Sequence, residues 1–194
     1  MDRDGDPKAS APDQSPDQSP DQSPDQNPDQ NREPDRDFDR EVAAWADHYF
    51  LKTRRTVERF GECDVTYAVF MRRPVVFAPK HMLDFLERAG RARGFAIGIE
   101  LNYQEGQWVG AGEPLLYLSG PLSKLVELET LYLQKLGAAC VAAHNAFTMC
   151  VELPDVAFLA MDARHCAGVE MADMMAYAAS VGSRAARDQV GAKG

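Results

Sequence analysis

Four short groups in this 194-residue chain carry side chains that can act on an anion or an aromatic ring. Asp162-Ala163-Arg164-His165 directly follows a continuous apolar run at residues 155–161. An arginine there can fork onto a carboxylate or phosphate, and a histidine beside it can exchange a proton near neutral pH. Arg164 could equally pair with Asp162 and close the end of a strand. Asp47-His48-Tyr49, with Lys52 one turn on, offers an acid and an aromatic face, although Tyr49 also suits a core position. Arg72-Arg73 and Ser183-Arg184 supply further guanidinium groups that could simply be solvated. His81, His144 and the scattered serines form no nucleophilic triad, and Gly110-Ala111-Gly112 precedes a strand and is therefore not a dinucleotide fingerprint.

The elements that must position these groups can be read from periodicity. Val42, Trp45, Ala46, Tyr49, Phe50 and Val57 lie on or near one face of a helix over about 40–60, with Asp39 as its cap and Gly61 at its end. Residues 63–71 are β-rich and continue after Pro74 into 75–77; a helix is predicted over 79–90, then a strand over 95–101. Short β runs at 108–109 and 115–118, separated by Gly110, Gly112 and Pro114, predict a hairpin. Helical spacing then sets in at Leu122, with Ser123 as N-cap and Gly137 as stop, followed by a second helical run over 138–152 that Pro154 breaks. The uncharged run 156–161 has the composition of a strand buried on both faces of a parallel sheet. Gly168 punctuates it, and a last helix is predicted over 169–190. The fold class is α/β: an N-terminal α/β unit over 39–121, then βα steps over 122–194.

Residues 1–38 stand apart. Pro12-Asp13-Gln14-Ser15 opens a four-residue repeat that runs through Asn31 with nothing apolar to bury, which predicts a disordered tail. Residues 1–40 hold twelve acids against five bases, so −7 of the total −9 charge belongs to this end and the low pI says little about the folded part. No cluster of basic residues with interleaved aromatics marks a nucleic-acid surface. Cys63, Cys140, Cys150 and Cys166 lack metal-ligand spacing and are expected to be reduced and mostly buried. The N-terminus carries no secretory pattern, and no apolar segment approaches the roughly 20 residues a membrane span needs. A soluble cytoplasmic protein is the expectation.

In their order along the chain these segments resemble the nicotinate phosphoribosyltransferase family, within the type II phosphoribosyltransferases that also include quinolinate and nicotinamide phosphoribosyltransferases. The resemblance covers about 44–193. Ala46-Asp47-His48-Tyr49 is similar to the family's Thr-Asp-x-Tyr, and Phe70-Met71-Arg72-Arg73-Pro74 to its Phe-x-Arg segment. Glu105-Gly106, Gly112-Glu113-Pro114-Leu115-Leu116, Gly120-Pro121 and Glu129-Thr130 match its most recognisable run. Ala163-Arg164-His165 resembles its Gly-x-Arg-Arg/His, and Ser183-Arg184-Ala185-Ala186 a downstream Ser-Arg-Ala-Ala.

The resemblance implies an N-terminal α/β sandwich followed by an irregular α/β barrel, of which this chain holds the first part, in a head-to-tail homodimer. The implied reaction transfers phosphoribose from phosphoribosyl pyrophosphate to a pyridine carboxylate, nicotinate, with Mg²⁺ neutralising the pyrophosphate. Tyr49, beside Asp47, would stack on the pyridine ring of the partner subunit's site. Arg164 would hold carboxylate or phosphate, with His165 beside it as the other catalytic group; Arg72 or Arg73 would meet phosphate, and Arg184 would join the substrate-binding set. Met161-Asp162 stand where the family places Phe-Gly, so a thioether faces the ring and a carboxylate adjoins anionic substrates. Three other readings remain: a quinolinate-specific relative, a non-catalytic binding or dimerisation module, and a biotinyl- or lipoyl-type carrier. The last lacks a lysine to modify between Trp108 and Leu118.

Overall fold

The structure, a computed structural model, describes residues 36–191. The predicted disorder of the repeat tail lies outside the described residues. The first described helix, α1, spans Arg36–Trp45, and Phe38, 3% exposed, belongs to the core.

The single helix expected over 40–60 is two. α2 spans His48–Phe60, and between the helices Asp47 is extended at φ −60°, ψ 139°. An aspartate at a helix start favours such a conformation because its side chain competes for local backbone groups. The break separates two burial tasks. Phe38 and Val42 of α1 enter the main core, while Phe50 and Val57 are the buried residues of α2.

Strand β1 (Asp64–Phe70) alternates outward and inward residues as predicted, with Val65, Tyr67 and Val69 turned inward. β2 (Val75–Val76) is buried outright. α3 (Lys80–Arg93) runs a turn past Gly90 and ends where Gly94 adopts φ 63°, the left-handed conformation only glycine enters cheaply. β3 covers Gly98–Leu101, β4 Trp108–Val109 and β5 Pro114–Pro121.

The hairpin expected from β4 and β5 does not form as a pair. β5 lies between β1 and β3, antiparallel to both, whereas β4 pairs with β2 in a separate two-stranded sheet. The turn between them is still anchored, since the amide of Gly112 (φ 78°) donates to Met71 O at 2.8 Å. Each arm of the turn finds its partner in the 64–76 stretch, so a local sequence signal resolves into long-range pairing.

After β5 the short helix α4 (Leu122–Leu125) leads through a 3-10 turn (Val126–Leu128) into α5 (Glu129–Glu152). Ser123 is not the N-cap; the Glu62 carboxylate accepts from its amide at 3.1 Å and from its hydroxyl. Gly137 does not stop the helix, and the two helical runs predicted over 122–152 are one long α5 preceded by a short turn. α6 (Val169–Gly191) packs along α5 at a point where backbones nearly touch: a Cβ on Gly182 would sit 2.0 Å from Ala143 O.

The strand expected over 155–161 is absent. Val156, Leu159 and Met161 are 60%, 74% and 60% exposed, and no residue of the run pairs in a sheet. A strand buried on both faces needs neighbours to complete its hydrogen bonds. Both described sheets are built from residues 64–121, so no described strand meets the run. One core nevertheless joins the two halves, with Val75, Leu116 and Phe85 packed in the same cluster as Leu136, Ala143 and Val181. Among the described residues no helix is long and apolar enough to cross a membrane. All four cysteines are free, but only Cys140 is buried and Cys63 is exposed, which corrects the expectation that most would be buried.

Candidate functional site

The sequence-predicted residues fall into four places. At the start of α2, Thr130 Oγ1 donates to Asp47 Oδ2 at 3.4 Å, tying the α1–α2 break to the first turn of α5. Tyr49 follows, 57% exposed, its ring 4.0 Å from that of Phe50. Glu129 stands beside this group, and burial, then the Asp47 carboxylate, raise its pKa above the usual carboxylate value. Burial also raises the phenols of Tyr67 and Tyr132, with Glu129 the next cause for each. This end of the molecule therefore presents a ring face next to acids and phenols. Glu129-Thr130 was legible as part of a motif, but neither its contact with Asp47 nor the place of Tyr67 could be read from spacing.

Arg72 and Arg73 form the turn between β1 and β2, both exposed, and neither makes an ion pair among the described residues. His144, on the middle of α5, is their neighbour from the second half. Burial, then the Arg73 guanidinium, lower its pKa, which favours the neutral imidazole. Its ring lies 6.1 Å from that of Phe147, and its Nδ1 is buried without a hydrogen-bond partner among the described residues. The sequence reading passed over His144 because it belonged to no triad.

Met161, Asp162, Arg164 and His165 lie between α5 and α6. Residues Ala163–His165 make a 3-10 turn, in which Asp162 O accepts the His165 amide at 2.8 Å and the Cys166 thiol at 3.4 Å. Arg164 is exposed and makes no ion pair among the described residues, so the alternative of an internal pair with Asp162 does not hold. Its guanidinium is available to an anion, although from a turn and not from the predicted strand end.

Arg184 is engaged elsewhere. Its Nη2 donates to Glu105 Oε1 at 2.9 Å, while Tyr177 OH donates to Glu105 Oε2 at 2.7 Å and accepts the Lys80 amide at 3.1 Å. Arg184 thus ties α6 to the 104–107 turn, and Tyr177 ties it to that turn and to the start of α3. An anion would have to displace Glu105 to use it.

The first two places lie apart within one chain. Thr130, which holds Asp47, and His144, which adjoins Arg73, are fourteen residues apart on α5, about 21 Å at 1.5 Å per residue. The chain presents an aromatic–acidic group at one end of α5 and a cationic group further along it.

No protein-family model and no curated protein matches the chain. Solved structures do. The nicotinate-nucleotide pyrophosphorylase of Francisella tularensis superposes with a TM-score of 0.59 at 16% identity, over 76% of this chain and 51% of its own. The nicotinate-nucleotide pyrophosphorylase of Pyrococcus furiosus gives 0.62 at 23% identity, over 74% of this chain and 38% of its own. Human nicotinic acid phosphoribosyltransferase gives 0.60 at 20% identity, over 70% of this chain and 34% of its own. The chain spans about half the length of the first of these and less of the others. The described chain shares its mixed helix-and-sheet fold with these three structures.

Proposed function

We propose that the chain is the substrate-binding part of a nicotinate phosphoribosyltransferase-like enzyme of pyridine nucleotide synthesis, with nicotinate and phosphoribosyl pyrophosphate as its substrates. The observation that carries this is the fold shared with human nicotinic acid phosphoribosyltransferase at a TM-score of 0.60. Nicotinate is placed ahead of quinolinate by the motif resemblance, and a direct comparison of the two acids tests that order. The division into units at 39–121 and 122–194, and residence in the cytoplasm, belong to the same reading.

The roles are those the motif resemblance implies. Arg164 and the Arg72–Arg73 pair supply free guanidinium groups for carboxylate and phosphate oxygens, with His165 beside Arg164 as the proton-exchanging neighbour. Tyr49, Asp47 and Met161 are the ring-facing set, and Asp162 holds the Arg164 turn through its carbonyl. Arg184 takes part only on release from Glu105. The separation of about 21 Å along α5 between the ring-facing end and His144 exceeds the length of any pyridine carboxylate. A head-to-tail dimer, in which Tyr49 of one protomer meets the arginines of the other, would bring both to one ligand, and this supports the dimeric reading.

Among the described residues no group of three or more His, Cys, Asp or Glu side chains converges as a metal site. Mg²⁺ therefore enters the proposal as a counter-ion arriving on the pyrophosphate, with no cluster of described side chains assigned to hold it.

Calorimetric titration of the 194-residue chain with nicotinate, quinolinate and phosphoribosyl pyrophosphate tests the reading. Nicotinate should bind more tightly than quinolinate. Arg164→Ala should weaken anion binding by about 1.5–3 kcal/mol, the worth of charge-assisted hydrogen bonds, with the melting temperature unchanged. Absence of binding by all three ligands would sink the reading.

A further inference from the structure

A cleft lined by none of the candidate-site residues lies between α1, α3, α5 and the start of α6. Its volume is about 560 Å³, inside the range of roughly 300–1,000 Å³ typical of small-molecule sites. Trp45, 63% exposed, stands at its rim, and Leu131, Ala138, Met171 and Met174 make its apolar walls. Thioethers and an indole around one cavity favour a flat aromatic occupant.

The charged groups around the cleft already satisfy one another. Lys135 Nζ is paired with the Glu170 carboxylate and lies 5.6 Å from the centre of the Phe85 ring. Arg88 Nη2 is paired with Glu41 at 2.9 Å. An anionic ligand would face Glu41 and Glu170, a cationic one Lys135 and Arg88, and either would have to break an existing pair. Two polar groups are left over. His81, which lines the cleft, keeps Nε2 buried with no hydrogen-bond partner among the described residues, Asp173 Oδ2 being 3.7 Å away. The Gln134 amide, also in the lining, makes no hydrogen bond among the described residues. Its O and N can serve a donor and an acceptor at once.

We propose that this cleft binds an uncharged, planar heteroaromatic ring, seated between Trp45 and the Met171–Met174 wall and hydrogen-bonded along its edge by His81 and Gln134. None of these residues belongs to the pyridine-carboxylate reading, so the two stand or fall separately.

Benzimidazole, uncharged at neutral pH, is the probe, and benzoate the flat anionic control, both titrated into the full chain by NMR. Benzimidazole should move the Met171 and Met174 methyl resonances and the Trp45 indole N–H saturably, while Met149, exposed near the far end of α5, stays still. Benzoate should move none of them. Ala138→Leu, at an exposed helical position lining the cleft, should weaken the benzimidazole response about tenfold or more without changing the circular dichroism melt. Unsaturable shifts, equal shifts at Met149, or tighter binding of benzoate would each overturn the proposal. Should the Ala138 variant melt early, Gln134→Ala on the same helix face replaces it, and an undiminished response there counts against the proposal.

Discussion

Arg93 Nη2 donates to Glu127 Oε2 at 3.0 Å, and the two side chains are only 6% and 5% exposed. The same carboxylate oxygen accepts Arg54 Nη1 at 2.9 Å, while Arg93 reaches Asp39 Oδ1 and Lys124 O, each at 3.0 Å. One buried acid thus holds α2 and α3 to the turn before α5, and through Arg93 it also holds α1. Glu127→Ala would leave Arg93 Nη2 buried without its acceptor, while Asp39 and Lys124 O still hold Nε and Nη1. The expected cost is about 3 kcal/mol, the lower end for breaking a buried pair by removing one partner. Arg54→Ala, on a side chain 42% exposed, should cost about 1 kcal/mol or less. Urea denaturation of both variants checks the order, and a larger loss for the Arg54 variant would contradict it.

What was legible in the sequence is what depends on near neighbours. The alternation of Val65, Tyr67 and Val69, and the helical spacing around Met82, Phe85 and Leu86, report burial directly, and both elements are where spacing places them. Gly90 and Gly137 were read as helix stops, yet a glycine inside a helix costs only about 1 kcal/mol, which the flanking buried residues Leu136, Ala139 and Cys140 readily outweigh. The run 155–161 was misread because apolar content signals a strand's composition and not its partners. The candidate site shows the same limit. The guanidinium groups were legible, but Arg184 and Glu105, 79 residues apart, meet through the packing of α6 on the β layer, and no local pattern encodes that.

Gly182→Ala tests the α5–α6 contact. The added methyl would lie 2.0 Å from Ala143 O and 2.9 Å from Ala146 Cβ, so the helices must separate. Overpacking of this kind costs about 1–3 kcal/mol, and here backbone is the obstacle, so the upper end is expected. Ala substitution at Gly112 tests a different mechanism, since nothing lies within 4 Å of its Cβ position and only its φ of 78° resists. Its cost should be nearer 1 kcal/mol. Thermal melts of the two variants should rank accordingly.

Glu129 sets a pH dependence. Its carboxyl is raised from the ordinary 4.5 by burial and by Asp47, so the folded state disfavours its ionised form. Folding stability from this group is fully present below 4.5 and is lost as pH rises through the higher folded-state value. Glu129→Gln cannot ionise and escapes that loss. The variant should gain on the native chain between acidic and neutral pH, the difference being small because the side chain is only partly buried. Denaturation midpoints of both proteins across that window check the sign, and a variant that loses ground as pH rises would refute it.

The exposed run 156–161 sets the behaviour of the chain in isolation. It carries Val156, Phe158, Leu159 and Met161 without a charge or a proline, and it lies outside both sheets. Such a segment offers unpaired backbone and apolar side chains together, the combination that drives strand association between molecules. Leu159, 74% exposed, contributes little to the described core, so Leu159→Lys should leave the melt within about 0.5 kcal/mol. The same change should shift size-exclusion profiles toward the smallest species by placing a charge in every intermolecular pairing. On the proposed reading, Leu159→Lys should leave nicotinate affinity unchanged, because Leu159 is not among the residues assigned to the ligand. Calorimetry on the native chain and the variant checks this, and a large loss of affinity in a monodisperse Leu159→Lys preparation would place the 156–161 run at the ligand.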